Sequence, residues 1–427
     1  MFQNFQRRIS LASFFPTEAI ANMSETNSSL KQSLSQLKCH FTWNFKEKDI
    51  PEDLEERLHE QIEFSNSASK GTMYNMLAYI KHLRGKDEDA LEYLKQAEES
   101  IQQEHCDKAE VRNLVTWGNY AWVNYHLGRL PEAQAYVDKV KQVCKKFSSP
   151  YRIECPELEN EEGWTRLKCG GLQTERAMVC FEKALEKHPR DPESTSGLAI
   201  AVYRVSDSQT PVDVTDSLHK AIKLNPDNHY LKVVLALTRQ RMKEGDEGES
   251  LVEEALEKAP KDPEVVEAAT KFYKRKGDSE KTSELTQKNL TRQHYYKGYI
   301  YRGEVLRKSN MMSSDELNEL IKKAIDHLKK AHEMDENLPC VCLYLGELYS
   351  RVGEHEEAER YFQEELGKAQ TPIAKQRFHL HYGNVQLENN QTEKAIHHYM
   401  EGCSFWSKRK LVTEAGLDFG SLIGILI

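Results

Sequence analysis

The chain has 427 residues, of which 30% are charged and 39% hydrophobic, and its formal net charge is -9 at neutral pH. This balance, together with only 13 prolines and no convincing period-two alternation, favours amphipathic helices over strands. The negative net charge argues against indiscriminate binding of polyanions, so any nucleic-acid function would depend on locally concentrated basic residues.

The cysteines and the hydropathy pattern indicate the compartment. The nine cysteines are scattered, without a paired CxxC framework or a preceding secretory segment, so we expect reduced thiols and a cytoplasmic location. No stretch reaches the roughly 18 consecutive apolar residues of a membrane-spanning helix, so no membrane partner is expected.

The first 22 residues carry Arg7 and Arg8 and no acid before Glu18, a pattern faintly similar to a mitochondrial presequence. We favour an alternative upstream start, because Met23 followed by Ser-Glu resembles a second natural beginning. Residues 1–22 are therefore interpreted as an N-terminal extension that we expect to be disordered.

A recurring pattern of small and aromatic residues follows. It places a Gly or Ala where two helices cross, a turn Gly, an Ala early in the second helix, an aromatic or Leu four residues later and often a closing Pro. Successive units are marked by Ala78, Gly85 and Ala90, by Trp117, Gly128 and Ala133, by Trp164, Ala177, Phe181 and Pro189, by Leu218, Ala221 and Pro226, and by Ala236, Gly248, Ala255 and Pro260. Small residues suit close helix crossings. The pattern predicts an all-α fold, a superhelical solenoid of tetratricopeptide-repeat (TPR) hairpins.

The pattern weakens in the middle of the chain and then returns. Around Gly277 the second helix carries Thr282 and Thr286 where small or apolar residues are expected, and the unit starting at Gly298 has a long polar connection at 309–314. Further on, Gly346, Ala358 and Phe362 are echoed by Gly383, Ala395 and Tyr399. We predict a bend in the solenoid, with TPR-like regions at 23–290 and 291–406 and a divergent apolar tail at 407–427.

Basic residues recur near the ends of predicted first helices. In a TPR hairpin the first helix lines the concave face, so positions after its small residue face the groove. The run GLAIAVYR ends at Arg204, TKFYKRKG contains Lys271 and Arg275, and GYIYRGE contains Arg302. Guanidinium groups bind phosphates through paired hydrogen bonds, and aromatic rings stack on unpaired bases. The pattern indicates a groove that binds RNA or another polyanion.

Other interpretations stay open. Tyr203, Tyr273 and Tyr301 occupy positions where the repeat needs a packing aromatic, and a basic residue that ends a helix also complements the helix dipole. A peptide ligand is the main alternative, although the Lys/Asn clamp with which some TPR domains bind a chaperone's C-terminal carboxylate is not visible.

No catalytic motif is present: the sequence has no P-loop, HExxH, GxSxG or Gly-rich phosphate loop. We therefore expect no enzyme activity and no cofactor. We also predict no metal site, since the spacing of Cys340 and Cys342 does not fit a zinc knuckle and the side chains of the C-terminal histidines diverge; these are His379, His381, His397 and His398.

Several long runs resemble one known family, the interferon-induced proteins with tetratricopeptide repeats. They include QLKCHFTWN from Gln36, QQEHCDKAEVRNLVTWGNYAW from Gln102, EEGWTRLKCGG from Glu161, LNPDNHYLKV from Leu224 and AIHHYMEG from Ala395. The matches extend over roughly 23–406. The family motif positions that line its basic channel correspond here to Arg57, Arg204, Lys271, Arg275 and Arg302.

The resemblance implies an interferon-induced, cytoplasmic antiviral effector that binds viral or foreign RNA and inhibits its translation. The member that this chain resembles most is associated with AU-rich and duplex RNA. The resemblance also implies self-association as a homodimer, heteromers with sister proteins and contact with the translation-initiation machinery. A TPR scaffold for sister proteins, initiation factors or signalling adaptors is the alternative. The sequence departs from the family after about Lys410, where an apolar tail replaces a basic helical stretch that helps to close the family's channel.

Overall fold

The computed structural model describes residues 27–65, 70–147, 150–151, 153–205, 211–242, 248–309, 311–338 and 340–404. Within these residues the regular structure is helical and no strand occurs, which confirms the all-α prediction. No helix in these ranges combines the length and the hydrophobicity needed to span a membrane. The predicted extension at 1–22 and the tail at 407–427 lie outside the described residues.

The chain forms two compact units, an N-terminal unit, Met1–Ser279, and a C-terminal unit, Glu280–Ile427. The described helices of the N-terminal unit are α1 (27–34), α2 (Leu54–Phe64), α3 (Lys70–Leu83), α4 (Asp87–Glu104), α5 (Ala109–His126), α6 (Leu130–Cys144), α7 (Pro156–Cys169), α8 (Leu172–Lys187), α9 (Pro192–Val205), α10 (Pro211–Leu224), α11 (His229–Met242), α12 (Glu249–Lys258) and α13 (Pro263–Lys276). Consecutive helices pack as hairpins: α3 on α4, α5 on α6, α7 on α8, α9 on α10 and α11 on α12.

Glycine makes the sharp turns inside these hairpins. Gly85, between α3 and α4, has φ of 71°, and Gly128, between α5 and α6, has φ of 76°. A side chain is strained in this left-handed region, so glycine is the residue that reverses the chain there at least cost. Helix α13 begins differently, at Asp262, whose carboxylate accepts hydrogen bonds from the amides of Glu264 and Val265.

The helices of the C-terminal unit are α14 (Ser279–Lys308), which starts at the last residue of the N-terminal unit, α15 (Ser314–Met334), α16 (Val341–Arg351), α17 (His355–Lys368), α18 (Pro372–Glu388) and α19 (Thr392–Ser404). Helix α16 packs on α17, and α18 on α19. A methyl group at Gly346 would lie 2.7 Å from Phe362 Cε1, and one at Gly383 would lie 2.6 Å from Tyr399 Cε1. The repeated Gly–aromatic pattern thus marks two close helix crossings, as the sequence predicted.

Helix α14 corrects one expectation. The sequence analysis treated the Thr282 region and the region from Gly298 as helices of separate hairpins. Instead, α14 continues through 30 residues. No Gly or Pro occurs between Asp278 and Gly298, so the backbone meets nothing that would end the helix. The polar connection that the sequence predicted does follow α14, and Ser313 caps α15 with Glu316 as its capping-box partner.

Candidate nucleic-acid interface

A cavity of about 600 Å³ opens among the first helices of the N-terminal unit's hairpins. Its apolar lining includes Trp164 from α7 and Ile200 from α9, and its polar lining includes Lys168, Tyr230 and Glu264. Further lining residues are Leu58, Met73, Met76, Asn225 and Asn228. The combination of apolar walls with a few convergent polar groups is typical of a ligand site.

Glu264, in the first turn of α13, is the acidic residue that the basic side chains of this region surround. Its carboxylate lies 3.4 Å from Lys168 Nζ and 3.6 Å from Arg204 Nη2. Burial opposes the charge of Glu264, but Lys168, Arg204 and Arg57 outweigh burial and lower the pKa of the carboxyl. Arg57 and Arg204, which the sequence predicted separately, are therefore close enough to act on one carboxylate.

Arg204 is held at the C-terminal end of α9. Its Nη1 donates a hydrogen bond of 2.8 Å to the carbonyl oxygen of Leu167. Burial disfavours its charge, yet Tyr230 and Glu264 raise its pKa overall. This guanidinium therefore supports the local structure by joining α9 to the end of α7.

Arg57 belongs to α2 and pairs with Asp53, the residue just before this helix begins. Its Nε lies 3.0 Å from Asp53 Oδ2, and 41% of its side chain is exposed. The neighbouring Gln61, one turn further along α2, accepts a hydrogen bond of 2.6 Å from Lys168 Nζ. Helices α2, α7, α9 and α13 thus contribute to one basic cluster.

Lys271 and Arg275 extend this cluster along α13. They lie seven and eleven residues after Glu264, close to whole numbers of turns, so all three share one face of the helix. At 1.5 Å per residue the two positions are roughly 10 and 16 Å beyond Glu264 along the axis. Both side chains are exposed. The result is a row of positive charge that leads away from the partly buried cluster.

Arg302 lies in α14 of the C-terminal unit and differs from the open phosphate ligand that the sequence suggested. Its Nε and Nη2 donate to Glu347 Oε2 at 2.8 and 2.5 Å, and its guanidinium lies 4.3 Å from the centre of the Tyr344 ring. His381 Nε2 also contacts this carboxylate, at 3.0 Å. Burial opposes the charge of Glu347, but His381 and Arg302 lower its pKa to about 2. Arg302 is therefore the partner of a buried carboxylate.

The tyrosines next to the predicted basic residues are packing residues. Tyr203 is 7% exposed and Tyr273 only 1%, while Tyr301 is half-buried against His327. Tyr203 also lies under the guanidinium of Arg241, 4.9 Å from its ring centre. Tyr203 and Tyr273 are too deeply buried to stack on an RNA base.

Lys168 is the main residue that the sequence analysis missed. It ends α7 in the run EEGWTRLKCGG, just as Arg204 ends α9, so the rule that selected Arg204 also selects Lys168. Burial lowers its pKa, and this effect exceeds the stabilisation that it receives from Glu264. The role of Glu264 could not be predicted from the sequence, because acidic residues are common in the first turn of a helix.

Sequence comparison identifies the relatives. Human "Interferon-induced protein with tetratricopeptide repeats 2" is 54% identical over 406 residues, which cover 91% of this chain and 86% of the relative. The mouse protein of the same name is 49% identical, with 89% and 84% covered. The chain belongs to the family of interferon-induced proteins with tetratricopeptide repeats. It matches no protein-family model.

Solved structures of this family agree with the TPR fold. A monomeric mutant of IFIT1 with Gppp-AAAA is 40% identical, with a TM-score of 0.58 and coverage of 88% of this chain and 87% of that one. The human IFIT1 dimer with m7Gppp-AAAA, also 40% identical, has a TM-score of 0.57, with 88% and 86% covered. The predicted TPR solenoid is confirmed. Human "Antiviral innate immune response effector IFIT1" is 41% identical, with 87% of this chain and 83% of the relative covered.

Proposed function

We propose that this protein is an interferon-induced antiviral effector that binds viral or foreign RNA through the basic groove of its N-terminal unit. The observation that carries the proposal is the convergence of Arg57, Lys168 and Arg204 beside a cavity of about 600 Å³. The similarity to IFIT1 structures that contain capped or triphosphate RNA supports it. Phosphates would bind these cations and Lys271 and Arg275.

The partly buried cluster and the exposed row of Lys271 and Arg275 would contribute to RNA binding in different ways. Lys168 and Arg204 are partly buried and share Glu264, so they are preorganised and lose little side-chain freedom when a phosphate arrives. Lys271 and Arg275 are exposed, so they supply long-range attraction that salt screens. Arg302 contributes separately, and RNA must compete there with Glu347.

The proposed effect on translation, the RNA class and the protein partners are based on the resemblance to the family. Bound RNA would be withheld from ribosomes in the cytoplasm, which inhibits its translation. We take AU-rich or duplex RNA as the favoured class, from the resemblance to the relatives called interferon-induced protein with tetratricopeptide repeats 2. Heteromers with sister proteins and contact with the translation-initiation machinery belong to the same proposal.

The deciding experiment is a salt titration of RNA binding by the full chain and by the double variant Lys271→Glu/Arg275→Glu. Both residues are exposed, so the variant changes charge without removing packing. About five phosphate contacts give a log–log slope of roughly -3.5 to -4.5, and losing two contacts reduces its magnitude by roughly 1.4–1.8. AU-rich duplex, GC-rich duplex and 5′-triphosphate single strands serve as probes.

Lys322→Glu/Lys323→Glu is the matched control, because it reverses two exposed positive charges on α15, a helix that supplies neither a groove residue nor the proposed dimer contact. The control should keep the slope of the unchanged protein. An equal loss of affinity in both variants would show that only net charge matters, and the groove would then have no special role. The ranking of the probes tests the AU-rich and duplex preference separately.

Self-association is the second function that a specific observation favours. Leu172 is 82% exposed and Val179 is 48% exposed, and they lie two turns apart on one face of α8. One relative, human IFIT1, is described as a dimer with RNA. We propose that this protein forms homodimers, with α8 in the interface.

A further inference from the structure

Three side chains of different chemistry converge in the C-terminal unit. His332 of α15, Cys342 of α16 and Glu364 of α17 each offer one ligand atom, and these atoms lie within 4.8 Å of one another. His332 Nε2 and Glu364 Oε1 are 2.9 Å apart. Cys342 is buried, whereas His332 and Glu364 are only partly covered, so the point of convergence has a route to solvent.

The ammonium group of Lys368 already places a positive charge among these three side chains. Lys368 Nζ lies 2.6 Å from Glu364 Oε1, 2.6 Å from the carbonyl oxygen of Glu336 and 3.6 Å from Cys342 Sγ. An ammonium ion is a weak substitute for a metal here, because it forms only hydrogen bonds to these groups. Lys368 has a flexible four-carbon stem and its side chain is 30% exposed, so its ammonium can rotate out to water.

We propose that His332, Cys342 and Glu364 bind a zinc ion that takes the place of the Lys368 ammonium. An imidazole nitrogen, a thiolate sulfur and a carboxylate oxygen are the three common zinc ligands, with bonds of about 2.0–2.3 Å. Such bonds in a tetrahedral arrangement separate the ligand atoms by roughly 3.3–3.6 Å, within reach of the observed spacing after small side-chain shifts. Water would complete the four ligands.

The charge and proton balance is simple. Zinc with one thiolate and one carboxylate is neutral overall, so the displaced ammonium of Lys368 is no longer needed there. Binding converts the Cys342 thiol to a thiolate, and its proton is released to water.

A second convergent group, Glu159, Glu162 and Cys180 in the N-terminal unit, is a poorer site. Glu159 pairs with Lys38, and Glu162 accepts two hydrogen bonds from Arg166 at 2.9 and 2.6 Å. It also offers no imidazole nitrogen. Cys180→Ser therefore serves as a control for the zinc proposal.

The test uses Co²⁺, which takes tetrahedral zinc sites and shows a thiolate-to-metal charge-transfer absorption only when a sulfur is bound. We expect this absorption in the full-length protein, saturating at one equivalent and abolished by added zinc. Cys342→Ser should lose it, whereas Cys340→Ser and Cys180→Ser should keep it. Lys368→Gln, which removes the competing ammonium, should bind cobalt and zinc more tightly.

Two results would overturn the proposal. One is the absence of a saturable sulfur-to-cobalt absorption in both the unchanged protein and Lys368→Gln. The other is an absorption that survives Cys342→Ser in a variant whose circular dichroism shows it to be folded. Zinc protection of one thiol against an alkylating reagent, identified by peptide mass, provides a second readout that is independent of cobalt.

Discussion

Each of the main cations in the two basic regions already has an acidic partner. Lys168 and Arg204 share Glu264, Arg57 pairs with Asp53, and Arg302 binds Glu347. In the proposed function a phosphate would have to displace these carboxylates, which would lower the net gain from each phosphate contact. The proposed groove would therefore select a ligand that fits well, because a loosely bound polyanion would not offset the loss of these pairs.

A buried histidine, His40, should make the stability of the protein depend on pH. His40 is 0% exposed, and its backbone amide donates to Asn119 Oδ1 at 3.2 Å. Burial is the main cause that lowers the pKa of its ring, to about 3. The unfolded chain binds a proton near pH 6.5 and the folded chain does not, so stability falls as the pH drops below 6.5. At pH 5 the loss from His40 is about 2 kcal/mol relative to pH 7.5.

The measurement is urea unfolding at both pH values, followed by tryptophan fluorescence. Four of the five tryptophans, Trp43, Trp117, Trp122 and Trp164, belong to the N-terminal unit, so this signal reports on the surroundings of His40. His40→Asn should lose about 2 kcal/mol less between the two pH values than the unchanged protein. His355→Asn, at an exposed position in α17, is the control substitution. Parallel pH profiles for His40→Asn and the unchanged protein would refute the argument.

At the scale of helices, the glycine positions separate two kinds of constraint. Gly346 crosses Phe362 so closely that an added methyl group would lie 2.7 Å from Cε1. Gly303, also helical and in the same unit, has no atom within 4 Å of the place that a methyl group would take. The first glycine is required by packing, whereas the second only makes its helix less stable than alanine would.

We expect Gly346→Ala to lower the free energy of unfolding by about 1–3 kcal/mol, because α16 and α17 must move apart. Gly303→Ala should raise it by about 0.5–1 kcal/mol through helix propensity alone. Thermal unfolding followed by circular dichroism compares the two. Opposite signs are the expected result, and stabilisation by both substitutions would mean that the crossing is looser than its geometry indicates.

For the whole molecule, the sequence predicts the repeat architecture better than its interruptions. Small and aromatic residues recur because two helices cross closely in each hairpin. Gly346 and Gly383 could therefore be identified from their spacing alone. The sequence did not predict that α14 is one continuous helix, because a weak repeat pattern does not reveal whether the chain turns or continues. The basic residues were selectable by position, but their pairing with Glu264 and Glu347 depends on contacts between residues far apart in sequence.

Self-association is a property of the whole molecule that depends on a small apolar surface. Leu172 and Val179 are exposed on α8 between charged neighbours, a pattern that favours burial against a second copy of this chain. Light scattering at tens of micromolar should give the mass of a dimer, and Leu172→Glu/Val179→Glu should give that of a monomer, because two carboxylates would lie in the contact. Arg176→Glu/Lys183→Glu changes the charge of the same helix without removing an apolar side chain, so it should stay dimeric if apolar burial dominates. A strictly monomeric unchanged protein, or a dimer that persists in the Leu172→Glu/Val179→Glu variant, would exclude α8 as the interface.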